Sequence, residues 1–420
     1  MQSHVMPQAG LVFDLQFERT DEGYIVQLID SPVGPVTESF LPPLTRGEIN
    51  AFWQHFTPSS SGLHRTFEAM LQEAKGVGLL LFAALLPAGL ETAWRMSREQ
   101  AMARQSNLRV RLDFANVPEL ATLPWEMLFD PTRNEFLALA SNVALTRFMR
   151  LRHHISPEPP PTPLRALVVL PRPSSFPSVD ADRNWIEFLD TIDYLGADGK
   201  LVVERLTRPT LHDLQRKLRQ GVYHIFHFMG HAVFDKHSAD GQLVFEDEMG
   251  RSRLVSGEHL GGLLRDHHTL RLVCISGPEG VVFQPERSPY LAAAEQLLRK
   301  GMAAVIAPRY ATPPAAQLAF YHRLYAALTM LTPVDLAVND ARQAMDQEMG
   351  GAAWAAPILF SRVGNGVLFG DDRVAVENLP AHVQESIQYR LNSLRIRTAT
   401  LDNMKRWGDD IPETRRRRDS

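Results

Sequence analysis

Five short apolar runs, Leu164–Leu170, Leu201–Leu206, Tyr223–Phe228, Leu270–Ser276 and Ala303–Ala307, succeed one another in the second half of this chain, with helical segments such as Thr210–Arg219 and Pro289–Lys300 between them. A short, nearly continuous apolar run suits a strand buried on both faces. Alternation of such strands with helices predicts right-handed crossovers and a mainly parallel sheet flanked by helices. In sheets of this kind, sites form beyond the carboxyl ends of the strands. The polar residues that follow each run are therefore the ones to inspect.

At 420 residues the chain exceeds one ordinary core, and two domains with a tail are expected. The boundary is placed at 156–163, SPEPPPTP, where five prolines remove backbone donors and favour an extended linker. Within 1–155, Leu11–Phe17 and Tyr24–Ile29 alternate like strands around the turn residues Asp21, Glu22 and Gly23. Helical periodicity follows over Thr45–Phe56 and Leu63–Ser106, then strand character over Leu108–Phe114 and Val143–Phe148. A smaller mixed α/β N-terminal domain is the expectation. Residues 164–370 form the sheet domain. In 371–420, Ala381–Met404 reads as a polar helix with Ile387, Leu391, Leu394 and Leu401 on one stripe, an expected docking or self-association surface.

Several function classes are disfavoured. Acids and bases nearly balance at a net charge of −4, which gives no field for nucleic acid or an anionic membrane, and Arg415–Arg418 reads as a solvated tip. Cys274 is the single cysteine, so no intrachain disulfide and no cysteine zinc site is expected, in keeping with a reducing compartment. The opening MQSHVMPQAG lacks the pattern of a secretory signal, and a cytoplasmic location is expected. The most apolar run, Val77–Leu90, is broken by Pro87 and Gly89 and falls short of the roughly 20 residues of a membrane span. His153-His154 and His267-His268 have no partners at metal-ligand spacing, and Glu246–Glu248 reads as a solvated turn. Phosphate-cradling glycine loops are absent. No metal or cofactor is expected.

Two strand ends carry chemistry: His227-Phe228-Met229-Gly230-His231 and Ser276-Gly277-Pro278-Glu279-Gly280. Glycine before histidine lets the chain turn at the strand end and presents an imidazole able to act as a base near neutral pH. His224 and His227, set among apolar residues, read as hydrogen-bonded core histidines. The second loop offers Ser276 and no thiol of its own.

The stretch Leu164–Phe369 resembles the CHAT family of caspase-like proteins, mostly bacterial cysteine peptidases related to caspases and separases. FHFMGH, Phe226–His231, is similar to the family's motif of aromatic, His, apolar, Gly, His, which implies that His231 is the catalytic histidine. Leu243–Ser256 resembles the hairpin that follows, Leu270–Gly280 the nucleophile strand and loop, and Leu291–Ala307 the later helix and strand. Leu123–Asp130, LPWEMLFD, resembles a segment common in the domain preceding CHAT in bacterial proteins. The family's loop reads Asn, Ala, Cys, Glu, Gly. Aligned through Glu279 and Gly280, its cysteine falls on Pro278, with Gly230 and Gly277 in the same cleft.

The resemblance implies a caspase-like α/β fold. Proline supplies neither a thiolate nor an N–H for an oxyanion, so the expectation is a pseudopeptidase that binds a protein or peptide partner in a bacterial signalling or defence module. The alternative is an active peptidase in which Ser276 or Cys274 serves His231. Cys274 lies within an apolar run, where a thiol behaves as a small hydrophobe, while Ser276 is nearer the strand end. A third reading, compatible with the first, is an assembly component joined through 381–404.

Overall fold

The computed structural model describes residues 10–56, 67–150, 155, 157–158, 162–177, 180–277 and 288–370. The expected helix 381–404 and the basic tip lie outside them.

The chain begins with β1 (Leu11–Thr20), β2 (Gly23–Asp30) and β3 (Val36–Phe40), an antiparallel meander whose first turn is the one expected at Asp21–Gly23. Helix α1 (Arg46–Phe56) starts on a capping box: Thr45 Oγ1 accepts from Glu48 N (3.3 Å) and Glu48 accepts from Thr45 N (2.7 Å). The single helical stretch expected over Leu63–Ser106 is instead α2 (Phe67–Leu85) and α3 (Ala88–Ala103), bent by 106°. Pro87, at the start of α3, has no N–H to continue α2. Among the described residues no single helix is long and apolar enough to cross a membrane. Strand β4 (Leu108–Asp113), the short β5 (Phe129–Asp130) and β6 (Glu135–Phe136), and β7 (Val143–Phe148) follow.

The second half runs β8 (Leu164–Val169), α4 (Ala181–Ala197), β9 (Leu201–Arg205), α5 (Leu211–Gln220) and β10 (Ile225–Met229). A three-stranded side sheet of β11 (Ala232–Asp235), β12 (Asp240–Glu246) and β13 (Ser252–Ser256) precedes α6 (Gly257–Leu264) and β14 (Leu272–Ser276). Then come α7 (Pro289–Lys300), β15 (Ala304–Pro308), α8 (Pro314–Thr329), α9 (Val334–Met349) and β16 (Pro357–Ser361). The five apolar runs are thus β8, β9, β10, β14 and β15. Local signals set the helix ends: Thr210 caps α5 by accepting from Asp213 N (3.1 Å), and Pro289 opens α7 where its missing N–H costs nothing.

Eleven strands join one sheet in the order β3-β2-β1-β4-β7-β16-β15-β14-β10-β8-β9. It is mainly parallel, as expected, with antiparallel pairing at β3-β2-β1 and between β15 and β16. Strand β16 pairs in parallel with β7 on its other side. Strands from residues 11–148 and from 164–361 therefore share this sheet, and the boundary expected at 156–163 falls between two of its members. Val168, Val169, Phe226, Phe228, Val273 and Ile275 are buried along the central strands, because helices cover both faces.

Candidate functional site

Strands β10 and β14 are parallel neighbours whose register sets Met229 opposite Ser276. Gly230 N donates to Ser276 O (3.0 Å), so the two chains leave the sheet side by side. His231 and Gly277 emerge together there, at the carboxyl ends of adjacent strands. Pro278, Glu279 and Gly280 lie outside the described residues.

Tyr290, from the first turn of α7, closes the bottom of this notch. Its hydroxyl donates to Gly230 O (3.0 Å), and its ring fills the space a side chain at Gly277 would need, with Oη 2.8 Å from where a Cβ would stand. Burial pushes the phenol up, so it remains a neutral donor. Gly230 is similarly confined by the Phe228 ring, 3.0 Å from its would-be Cβ.

His231 is half-buried. Its Nε2–H donates to the carbonyl of Pro177 (3.1 Å), and the Phe176 ring lies 5.3 Å from the imidazole, centroid to centroid. Burial holds its pKa below the ordinary histidine value, partly offset by the bond to Pro177. The donor at Nε2 leaves Nδ1 as the lone-pair nitrogen of the neutral ring.

Ser276 is not brought to His231. Alternation places Ser276 and Cys274 on one face of β14, the face that meets His227 on β10. His227 Nε2 lies 3.1 Å from Ser276 Oγ, and Nδ1 lies 3.2 Å from the Tyr325 hydroxyl on α8. All three residues are buried. Burial pushes His227 down to about 3, so this imidazole is neutral and a poor base at physiological pH. His224 is also a hydrogen-bonded core histidine, accepting from Arg165 N (2.9 Å). Cys274 is fully buried opposite His227, and burial pushes its thiol far up. A thiol held in that state supplies no thiolate.

Beside Ser276 and Gly277 a cleft opens between the ends of β14 and β15 and helix α8. Its walls include Tyr290, Thr312, Gln317 and Phe320, and no charged residue lines it among the described residues. Gln317 Nε2 donates across its mouth to Thr312 O (3.0 Å). Among the described residues no group of three His, Cys, Asp or Glu side chains could hold a metal ion.

The sequence reading did not find Phe176, Pro177, Tyr290 or Tyr325. PRPSSFP carries only loop signals, and Tyr325 stands 98 residues from His227. The one cue was that two strand ends on neighbouring runs each carried a glycine and polar residues.

These features define a class: an α/β protein with a mainly parallel sheet and a paired histidine strand end and loop at its carboxyl edge. The CHAT domain matches residues 77–362, more than half of the chain, and this chain belongs to the CHAT family. The match begins well before Leu164 and takes in helix α3 and the strands β4 and β7, which belong to the shared sheet. No curated protein matches the chain by sequence. Two crystal structures of the Saccharomyces cerevisiae separase–securin complex, at 2.6 and 3.0 Å resolution, are similar at 11% and 12% identity, with TM-scores of 0.36 and 0.34. The similarity covers 77% and 75% of this chain but 23% and 22% of those chains. This chain therefore spans less than a quarter of their length.

Proposed function

We propose that this chain is a catalytically degenerate CHAT protein, a pseudopeptidase that binds a protein or peptide partner at its former substrate cleft within a bacterial signalling or defence module. The observation that carries the reading is the absence of a usable nucleophile beside His231 among the described residues. Cys274 is buried and its thiol is held protonated; Ser276 is buried against His227. The resemblance of the loop, read through Glu279 and Gly280, implies Pro278 at the position of the family's cysteine. Acyl transfer needs an activated nucleophile within reach of its base, and neither group meets that need. The cleft next to Gly277 carries no charged side chain among the described residues. A scaffold role through 381–404 is compatible with this reading.

The competing reading is a hydrolase built on Ser276. The 3.1 Å contact with His227 favours it, and the burial that suppresses His227 as a base opposes it.

Pro278→Cys tests whether only the nucleophile was lost. The variant is expected to form a covalent adduct with a peptidyl acyloxymethyl ketone, seen after digestion as a mass shift on the peptide that carries the substitution, and the adduct should vanish when His231→Ala is added. A Pro278→Cys protein that stays unlabelled would refute a preserved cleft.

A further inference from the structure

The segment Pro171–Pro177, PRPSSFP, lies against the His231 face of the site, and its construction is unusual for a simple connection. Prolines at 171, 173 and 177 remove three of its seven backbone N–H donors and interrupt any regular ladder. Its base is anchored at Arg172, whose N donates to Glu246 Oε1 (2.5 Å) and whose Nη1 donates to Asp182 Oδ2 (2.9 Å). Beyond it Ser174 N donates to Gly250 O (3.1 Å), Phe176 N donates to Pro173 O (3.2 Å), Ser175 Oγ lies 2.7 Å from Ser252 Oγ, and Ser252 N donates to Ser175 Oγ (3.3 Å). Pro173 is buried at the base of the strap, whereas Ser174, Ser175 and Pro177 are exposed. Phe176 is half-buried yet lies outside the main hydrophobic core; its ring stands against the His231 imidazole. The next residue, Pro177, supplies the carbonyl that takes the Nε2 proton.

We propose that Pro173–Pro177 occupies, within the chain, the place a partner peptide takes at His231, so that the partner must displace this strap and must itself present an aromatic residue followed by a carbonyl acceptor. The proposal rests on the peptide-binding reading above and names the chemistry of the peptide and the contact that competes with it. A strap tied by a few exposed hydrogen bonds can open while the buried strand ends beneath it, fixed by Tyr290 and the Gly230–Ser276 bond, stay in place. Displacement exchanges like for like: one ring on the imidazole, one carbonyl on Nε2.

Diethyl pyrocarbonate modification of the full chain, mapped by mass spectrometry, tests the cover. His237, whose side chain is 99% exposed, serves as the internal reference. In the wild type His231 is expected to react at least about tenfold more slowly than His237, and Phe176→Ala or the pair Ser175→Ala and Ser252→Ala should raise its rate severalfold while His237 is unchanged. A His231 rate equal to that of His237 in the wild type, or unmoved in both variants, overturns the proposal. A fluorescein-labelled PSSFP peptide is the second probe. It should bind the Phe176→Ala protein more tightly than the wild type, and its Phe-to-Ala version should not bind. Faster His231 modification with no peptide binding to any form would overturn the partner chemistry and the peptide-binding reading, leaving the cover supported. Equal binding to wild type and variant with unmoved reactivity would overturn the strap and support the peptide-binding reading. Circular dichroism confirms that each variant is folded, as expected for residues outside the core.

Discussion

Glu126→Gln should destabilise the protein by about 3–5 kcal/mol, because it removes one partner of a buried ion pair and leaves the other uncompensated. Glu126 sits in LPWEMLFD and is 4% exposed. It accepts from Arg147 Nε (2.9 Å) and Nη2 (2.7 Å). Two more buried guanidiniums lean on the same carboxylate: burial pushes Arg309 down to about 9 and Arg342 down to about 10, and Glu126 pulls each the other way. Their donors also reach main-chain carbonyls, Arg309 at Ala121 O (2.8 Å) and Arg342 at Pro357 O (2.8 Å). The carboxylate thus ties its segment to β7 through Arg147 and balances the charges of Arg309, just past β15, and Arg342 on α9. Burial alone would raise its pKa, but Arg147, with Arg342 and Arg309, outweighs burial and holds it below the ordinary glutamate value. A folded-state pKa below the unfolded one means that this stability is present above about pH 4.3 and is lost as the pH falls through the lower folded value. Guanidinium chloride titration at pH 7 should show a large drop in midpoint for Glu126→Gln, and the gap from wild type should narrow in acid. An unchanged midpoint at pH 7 would remove the ion pair from the stability of the fold.

Gly241→Ala should cost about 3 kcal/mol, the upper part of the range for overpacking. Gly241 is in β12, and a Cβ there would run into the carbonyl oxygen of Pro289 and stand 2.6 Å from Ala293 N. Both are backbone atoms of α7, which cannot rotate aside as a side-chain tip could. Gly257 is pressed against the same turn, with a would-be Cβ 2.7 Å from Ala293 O. The side sheet therefore lies directly on α7, and α7 carries Tyr290, which holds Gly230 at the mouth of the site. Gly262→Ala is the matched control, since a Cβ there meets nothing within 4 Å. A lower unfolding midpoint in Gly241→Ala, with none in Gly262→Ala, is expected; equal midpoints would contradict the close approach.

The five apolar runs were legible because burial on both faces removes the need for alternation, and of their neighbours α5 carried a threonine cap and α7 an opening proline. Three things were hidden. Strand β16 pairs with β15 and β7, partners far away in sequence, and nothing local in PILFS announces that it splices two sets of strands. Pro87 marked a break in an apolar run, but the two helices it separates share a period, so they read as one. At the site, the glycine-histidine strand end singled out His231 as a candidate, whereas the contact of Ser276 with His227 was hidden: strand alternation and register, not sequence order, turn Ser276 toward that histidine. The contact of His231 with Pro177 joins residues 54 apart in sequence, and only the folded chain brings them together.

The most direct test of the proposed loss of covalent chemistry is a labelling experiment on the unmodified native protein with a peptidyl acyloxymethyl ketone, iodoacetamide and a fluorophosphonate, read by peptide mass spectrometry. The expected result is no adduct on Cys274 or Ser276 in the folded protein, with Cys274 alkylated only after unfolding. An adduct on either residue under native conditions, abolished by His231→Ala, would contradict the pseudopeptidase reading and establish a working nucleophile.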